Sequence, residues 1–347
     1  MTSSGRFLLL DGARGVAAVG IVLFHLYSSS NPIFLHFFLF VDFFFVLSGF
    51  VLASSIMGID SLQSSIKFLR KRYVRLAPMA YSAIILVILI QLAVNLKYIL
   101  IREEIPEGIS LDFKTLAFTF AFLQVLSINS QLLLYPLWSL SSEWLSNVIA
   151  SLTNRLTSKF ELFFFIAPGL IFLTASIFLR ENTFFIGVLS QLGRCLLGFG
   201  LGLGLWKVKD KFKDTPRGAM CIFLAILASV VTLVLSQLSA ELALFFSSPL
   251  FCFTVLLLYE YERQGNVLKF KRSLRYLGNA SYGIYVWHVV ATNLLFIISK
   301  NINFNALEPD FGLGILRFLG VLALTLLLTE LTIKFVESPI RNKFNYD

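Results

Sequence analysis

The chain has 347 residues, 57% of them hydrophobic and 14% charged, with a mean hydropathy of +0.81. Soluble domains carry about 25% charged residues, so this composition excludes a soluble globular protein and points to one integral membrane domain over 1–347. The net charge of +9 calls for no nucleic acid, because Lys and Arg gather in the cytoplasmic loops of membrane proteins. Cys195, Cys221 and Cys252 all fall in apolar segments with no CxxC spacing, which argues against a disulfide framework and against a metal site. The first apolar run has no small-residue cleavage site and carries Asp11 and Arg14 at its start, so it reads as a span and not as a cleavable signal.

Eleven apolar segments follow in order, at about 10–29, 33–57, 77–97, 112–128, 136–152, 161–179, 183–206, 218–236, 240–260, 279–299 and 313–336. Basic clusters separate some of them: Lys67, Arg70, Lys71, Arg72 and Arg75; Lys207, Lys209, Lys211, Lys213 and Arg217; Arg263, Lys269, Lys271, Arg272 and Arg275; and Lys334, Arg341 and Lys343 at the end. Other connections are acidic, with Glu103, Glu104 and Glu107 in one and Glu308 and Asp310 in another. The excess of Lys and Arg places the basic loops and both termini in the cytoplasm. Between the first two basic loops the chain must then cross an even number of times, yet five apolar segments lie there. One of them is a partial or re-entrant segment. The candidates are 112–128 and 136–152. The first is favoured, because it is short and runs into Ser127, Asn129, Ser130 and Gln131, and a dip is tolerated where protein covers its backbone. The expected fold is all-α and polytopic, with about ten transmembrane helices plus that segment. No internal repeat of the kind found in two-fold transporters is visible.

Five ionisable side chains sit deep in these segments. In DGARGVAAVGIVLFHLY (11–27), Arg14 and His25 are eleven residues apart, almost three helical turns, so they share a face about 16 Å apart along the axis. With Arg14 at the membrane surface, His25 lies near the bilayer centre, about 15 Å in. Counting in from the segment ends at about 1.5 Å per residue, Asp42, Glu143, Arg194 and His288 reach roughly 10–16 Å. One such group is an accident of packing; five at one level point to a shared polar cavity, since each is costly facing lipid. The competing interpretation is a structural network of interhelical hydrogen bonds, with Arg194 paired to a carboxylate. The third histidine, His36, is expected at the outer interface among aromatics. The glycine-dense GRCLLGFGLGLG (193–204) reads as close helix packing through small residues.

Seven motifs in order carry a resemblance: LDGARGVAAVGIVLFH with its R-x10-H pair, VDFFFVLSGF (41–50), FLRKRYVRLAP (68–78), LWSLSSEW (137–144), GRCLLGFGLG (193–202), SYGIYVWH (281–288) and VESPIR (336–341). The chain resembles the acyltransferase 3 family of integral membrane acyltransferases along nearly its whole length. It matches the family's membrane domain, without the extracytoplasmic hydrolase-like domain that some members add. The resemblance implies transfer of an acyl group, usually acetyl, from cytoplasmic acyl-CoA to a hydroxyl of a surface polysaccharide or glycolipid sugar. Acetyl-CoA is then a donor substrate and no cofactor is permanently bound. The remaining partners are the carbohydrate acceptor and membrane lipids, and the location is a bacterial cell membrane. Arg14 and His25 become the essential pair, and Asp42, Arg72, Arg75, Glu143 and His288 further site residues, with Ser48 and Gly49 structural members of the second motif.

The residues themselves agree with that chemistry. Lys67, Arg70, Arg72 and Arg75, with Arg14 at the same face, suit the phosphates of an acyl-CoA, Arg being favoured for forked contacts. His25 is the candidate general base on the acceptor hydroxyl, with Asp42 or Glu143 orienting its ring. A covalent acyl-His25 is an open alternative. His288 is a second candidate base, and Arg194 or His288 a candidate oxyanion stabiliser. The rival of another class is a transporter of an acyl donor or glycolipid, which would release no CoA. Rivals within enzymes use succinyl-CoA, or a lipid, macrolide or peptide acceptor.

Overall fold

The computed structural model describes residues 7–101, 112–126, 134–179, 187–212, 218–265, 270–301 and 311–343. Every regular element among them is helical: α1 (Leu8–Tyr27), α2 (Pro32–Leu35), a 3₁₀ turn (His36–Leu39), α3 (Phe40–Met57), α4 (Leu62–Ile101), α5 (Phe113–Phe120), a second 3₁₀ turn (Gln124–Leu126), α6 (Leu137–Thr153), a π-turn (Leu162–Ile166) leading into α7 (Ala167–Phe178), α8 (Val188–Val208), α9 (Ala219–Leu238), α10 (Ala240–Arg263), α11 (Lys271–Asn301), α12 (Phe311–Thr332) and, after another π-turn, α13 (Ser338–Lys343). Glu103, Glu104, Glu107, Ser127, Asn129, Ser130, Gln131, Lys213, Arg217, Lys269, Glu308 and Asp310, used above for orientation and for the dip, lie outside the described residues.

Among the described residues, eight helices are long and apolar enough to cross a membrane. Leu162–Phe178 is a shorter apolar helix, and α6 has 17 residues, the lower limit for a span. The chain is thus an all-α polytopic membrane protein. Helix α4 begins some fifteen residues before the apolar segment expected at 77–97. Its start is capped reciprocally: the Ser64 N–H donates to Ser61 Oγ at 3.2 Å and the Ser61 N–H to Ser64 Oγ at 3.0 Å. Hydrogen bonds from Ser64 and then Ser61 hold the exposed Asp60 carboxyl beside it below the usual carboxylate range. From that cap the Lys- and Arg-rich stretch continues as helix, as residues of good helix propensity do.

The chain divides into two compact units, Met1–Leu69 with Ser142–Tyr282, and Arg70–Ser141 with Gly283–Asp347. In the first, α3 and α8 touch backbone to backbone. A Cβ on Gly49 would strike the Phe199 carbonyl oxygen, and one on Gly202 the Val46 carbonyl oxygen, which is the close packing that the glycine-dense motif predicts. Around this seam Phe165 stacks on Phe199 at 5.5 Å, and Phe50 packs edge-on to Trp206 at 5.2 Å and Tyr259 at 5.4 Å. Outside, α9 shows a row of exposed apolar residues, Phe223, Ile226, Val230 and Val234. Their spacing of three and four keeps them on one helical face, the face suited to lipid.

In the second unit, α4 presents a similar row, Ile85, Leu89, Leu92, Leu96 and Ile99. Helix α5 has eight residues, about 12 Å, and cannot span. This agrees with the expectation that 112–128 is the partial segment, of which residues 127 and 128 lie outside the described ones. Asp112 caps α5 through the Thr115 N–H at 2.9 Å, and the chain turns at Phe122, whose φ is +54°. Tyr81 holds that turn: its hydroxyl donates to the Phe120 carbonyl at 2.5 Å and its ring stacks on Phe122 at 5.4 Å.

Candidate active site

Arg14 is fastened at three points. Its Nε donates to Ser281 Oγ at 2.9 Å, its guanidinium donates to the Gly278 carbonyl at 2.8 Å, and it pairs with Asp11 one turn earlier at 3.0 Å. A guanidinium has five donors in a planar fork, and three acceptors in different directions fix its orientation. The contact requires α1 and α11 to approach closely: a Cβ on Gly278 would sit 2.5 Å from Asp11 Cβ. Nearby, Glu262 caps α1 by accepting from the Leu8 N–H at 2.8 Å and the Leu9 N–H at 3.0 Å. That carboxylate satisfies two of the four orphan donors of the helix start and complements its dipole.

His25 lies at the other end of α1. Its Nδ1 is 3.0 Å from the Ile21 carbonyl, and its ring meets Phe24 edge-on at 4.8 Å. A carbonyl only accepts, so Nδ1 carries the proton in this contact and Nε2 is the acceptor nitrogen of the neutral ring. His288, in the second unit and fully buried, has the same tautomer for the same reason, with Nδ1 at 2.8 Å from the Tyr285 carbonyl and 3.2 Å from that of Ile284. Beside it the Tyr285 hydroxyl donates to the Pro136 carbonyl at 3.0 Å and lies 2.6 Å from Ser139 Oγ. Each histidine is thus presented with Nε2 as its proton-accepting atom.

The two carboxylates differ in their partners. Asp42, fully buried, accepts from Arg194 Nε at 2.8 Å and from a second guanidinium nitrogen at 3.3 Å. Ser247 Oγ donates to it at 3.0 Å. The same guanidinium reaches the Phe38 carbonyl at 3.3 Å and lies over the Phe38 ring. Asp42 and Arg194 therefore form a fully enclosed ion pair tying α3 to α8 and α10. Glu143, half-buried on α6, accepts from Ser48 Oγ at 3.0 Å, so the fourth motif engages the second at the serine beside Gly49.

Lys67, Arg70, Arg72 and Arg75 all lie on the opening turns of α4; Lys67, Arg70 and Arg75 are exposed and Arg72 half-buried. Lys67 belongs to the first unit and the three arginines to the second. Arg14, His25, Asp42 and Glu143 share the first unit. Four partners escape the motif reading: Asp11, Gly278, Ser281 and Ser247. Asp11 had a signal, since a carboxylate three residues before an arginine on a helix is a neighbour. Ser281 had another, as the opening residue of SYGIYVWH. Ser247 had none, because its pairing depends on how α10 is rotated.

With this geometry in place, comparison with known proteins gives three findings. A family model described as an acyltransferase domain matches residues 7–332. The peptidoglycan O-acetyltransferase OatA of Listeria monocytogenes is 24% identical to the chain over 360 residues, an alignment covering 96% of this chain and 55% of that protein. The chain thus spans about half the length of this curated relative. No solved structure matches it at a significant level. A family match that runs almost end to end, over the elements that carry the Arg14 anchor, the two histidines and both carboxylates, leads to the conclusion that the chain belongs to the acyltransferase 3 family, as a multi-pass membrane acyltransferase.

Proposed function

We propose that the protein transfers an acetyl group from cytoplasmic acetyl-CoA to a hydroxyl of a cell-envelope polysaccharide, with a peptidoglycan sugar or its lipid-linked form as the acceptor. The observation that carries this reading is the state of α1. One end is clamped through Arg14 to Asp11, Gly278 and Ser281, and His25, about 16 Å along the same helix, has its Nδ1 held by Ile21 and offers Nε2 as base. The acceptor preference rests on the likeness to a peptidoglycan O-acetyltransferase. The basic ends face the cytoplasm, as the excess of positive charge there favours, and the membrane is the bacterial cell membrane.

In this mechanism Lys67, in the same unit as His25, binds the phosphates of acetyl-CoA, and the thioester reaches inward toward His25. Nε2 of His25 takes the proton of the acceptor hydroxyl as its oxygen attacks the thioester carbonyl. The new C–O bond forms, the C–S bond breaks, and the imidazolium returns its proton to the departing CoA thiolate. The Ile21 carbonyl stabilises the imidazolium by accepting its Nδ1–H, the orienting role of the acid in a catalytic triad. Asp42, committed to Arg194 and Ser247, supports the helices that carry the site, while Glu143 is a further polar group toward the acceptor.

The test uses the purified protein in nanodiscs with radiolabelled acetyl-CoA and peptidoglycan fragments or lipid-linked precursor. The expected result is label on the sugar with an equal amount of free CoA. Movement of intact acetyl-CoA or glycolipid across the bilayer without CoA release would replace this reading with a transporter.

A further inference from the structure

Along α6, Glu143, Asn147 and Ser151 recur every four residues and so lie on one face. Two of the three are engaged. Glu143 accepts from Ser48 Oγ at 3.0 Å. Ser151 Oγ donates to the Val148 carbonyl at 2.9 Å, and the Ser151 carbonyl accepts from Ser65 Oγ at 2.8 Å. Asn147, between them, is completely buried, and neither Nδ2 nor Oδ1 has a hydrogen-bond partner. A buried carboxamide without partners is destabilising, and native structures rarely keep one without a use. Leucine would fill similar space without that penalty. The unpartnered Nδ2 and Oδ1 of Asn147 point to a ligand that supplies both an acceptor and a donor.

We propose that Asn147 is a positioning residue for the acyl donor, binding the amides of the pantetheine arm of acyl-CoA. The proposal rests on the donor reading given above. The pantetheine arm carries two secondary amides, so it offers a carbonyl to accept from Nδ2 and an N–H to donate to Oδ1. The location suits it too. Asn147 is six residues before the end of α6 at Thr153, about 9 Å along the axis. With the basic loops inside, that end is cytoplasmic, and the amides lie between the surface where the phosphates rest and the level of Glu143, one turn further in.

The test compares the wild type with Asn147→Leu and Asn147→Gln in nanodiscs, measuring the KM for acetyl-CoA, the KM for the acceptor, kcat, direct binding of radiolabelled acetyl-CoA, and thermal unfolding. Unfolding is followed with a thiol-reactive dye that reports exposure of Cys195 and Cys221, both buried. Asn147→Leu is expected to unfold at the same temperature as the wild type or higher, to raise the KM for acetyl-CoA about tenfold and to weaken acetyl-CoA binding to match, with the acceptor KM unchanged. Asn147→Gln should recover part of the donor affinity. If Asn147→Leu keeps the wild-type donor KM, or raises the acceptor KM instead, the assignment is overturned while the donor reading survives. A lower unfolding temperature with unchanged donor affinity makes Asn147 structural and overturns it as well. If the wild type itself does not bind acetyl-CoA, the donor reading and this assignment fail together.

Discussion

Arg14 illustrates how much a side chain's role depends on its acceptors. Three oxygens from Asp11, Gly278 and Ser281 surround it, and a lysine, with a single point charge on a flexible stem, cannot meet them in the same plane. Arg14→Lys is expected to lower acetyl transfer at least tenfold, and Ser281→Ala to cost about 1–2 kcal/mol of stability by leaving a charged donor without its acceptor; CoA release and thermal unfolding measure the two. The Asp42–Arg194 pair gives a sharper case, because both groups are enclosed. Removing one partner of a buried pair costs about 3–5 kcal/mol, whereas replacing both with apolar groups is often neutral. Asp42→Asn should therefore lower the unfolding temperature strongly, and the double change Asp42→Leu with Arg194→Leu should recover most of it. A single variant as stable as the wild type would show that the pair does not hold α3 to α8. Depth counted along the sequence puts Asp42 and Arg194 at similar levels, and charge makes them candidates for each other. Their pairing, and the pairing of Glu143 with Ser48, depends on helix rotation, which residue spacing alone does not encode.

At the scale of elements, the glycines of α8 separate packing from composition. A Cβ on Gly202 would run into the Val46 carbonyl oxygen, while one on Gly204 would meet nothing nearer than a Glu161 side-chain carbon at 4.0 Å. Gly202→Ala must push α3 and α8 apart and is expected to destabilise by about 1–3 kcal/mol or more, the range seen for overpacked cores. Gly204→Ala should be neutral or slightly stabilising, since alanine is the better helix former by about 1 kcal/mol. Fluorescence-detected size exclusion and thermal unfolding distinguish the two, and equal behaviour would contradict the contact. The glycine-dense motif made close packing legible; which glycine bears it was not, because all of them recur at helical spacing. The partial segment was legible by counting crossings, and α5 and its turn at Phe122 agree with it. The extension of α4 through the basic stretch was not, because hydropathy marks where a helix enters the bilayer and says nothing of helix that continues outside it.

For the molecule as a whole, composition and segment count made an all-α membrane protein legible, and the order of seven motifs pointed to the family that the match over 7–332 shows. The partition into two compact units was not legible, since no linker or change in composition marks it. The polar groups named from the sequence divide between those units, Arg14, His25, Asp42 and Glu143 in one and His288 with Arg72 and Arg75 in the other. Nε2 of His25 combines a base's acceptor atom with a place on the helix that carries Arg14 itself. The most direct measurement of that claim compares wild type with His25→Ala in nanodiscs, following binding of acetyl-CoA, release of CoA and transfer of label to the sugar. His25→Ala is expected to bind acetyl-CoA as the wild type does and to transfer at less than about 1% of its rate, as loss of a general base worth about 10²–10⁴ requires. Transfer at the wild-type rate by His25→Ala would contradict it and move the search for the base to His288.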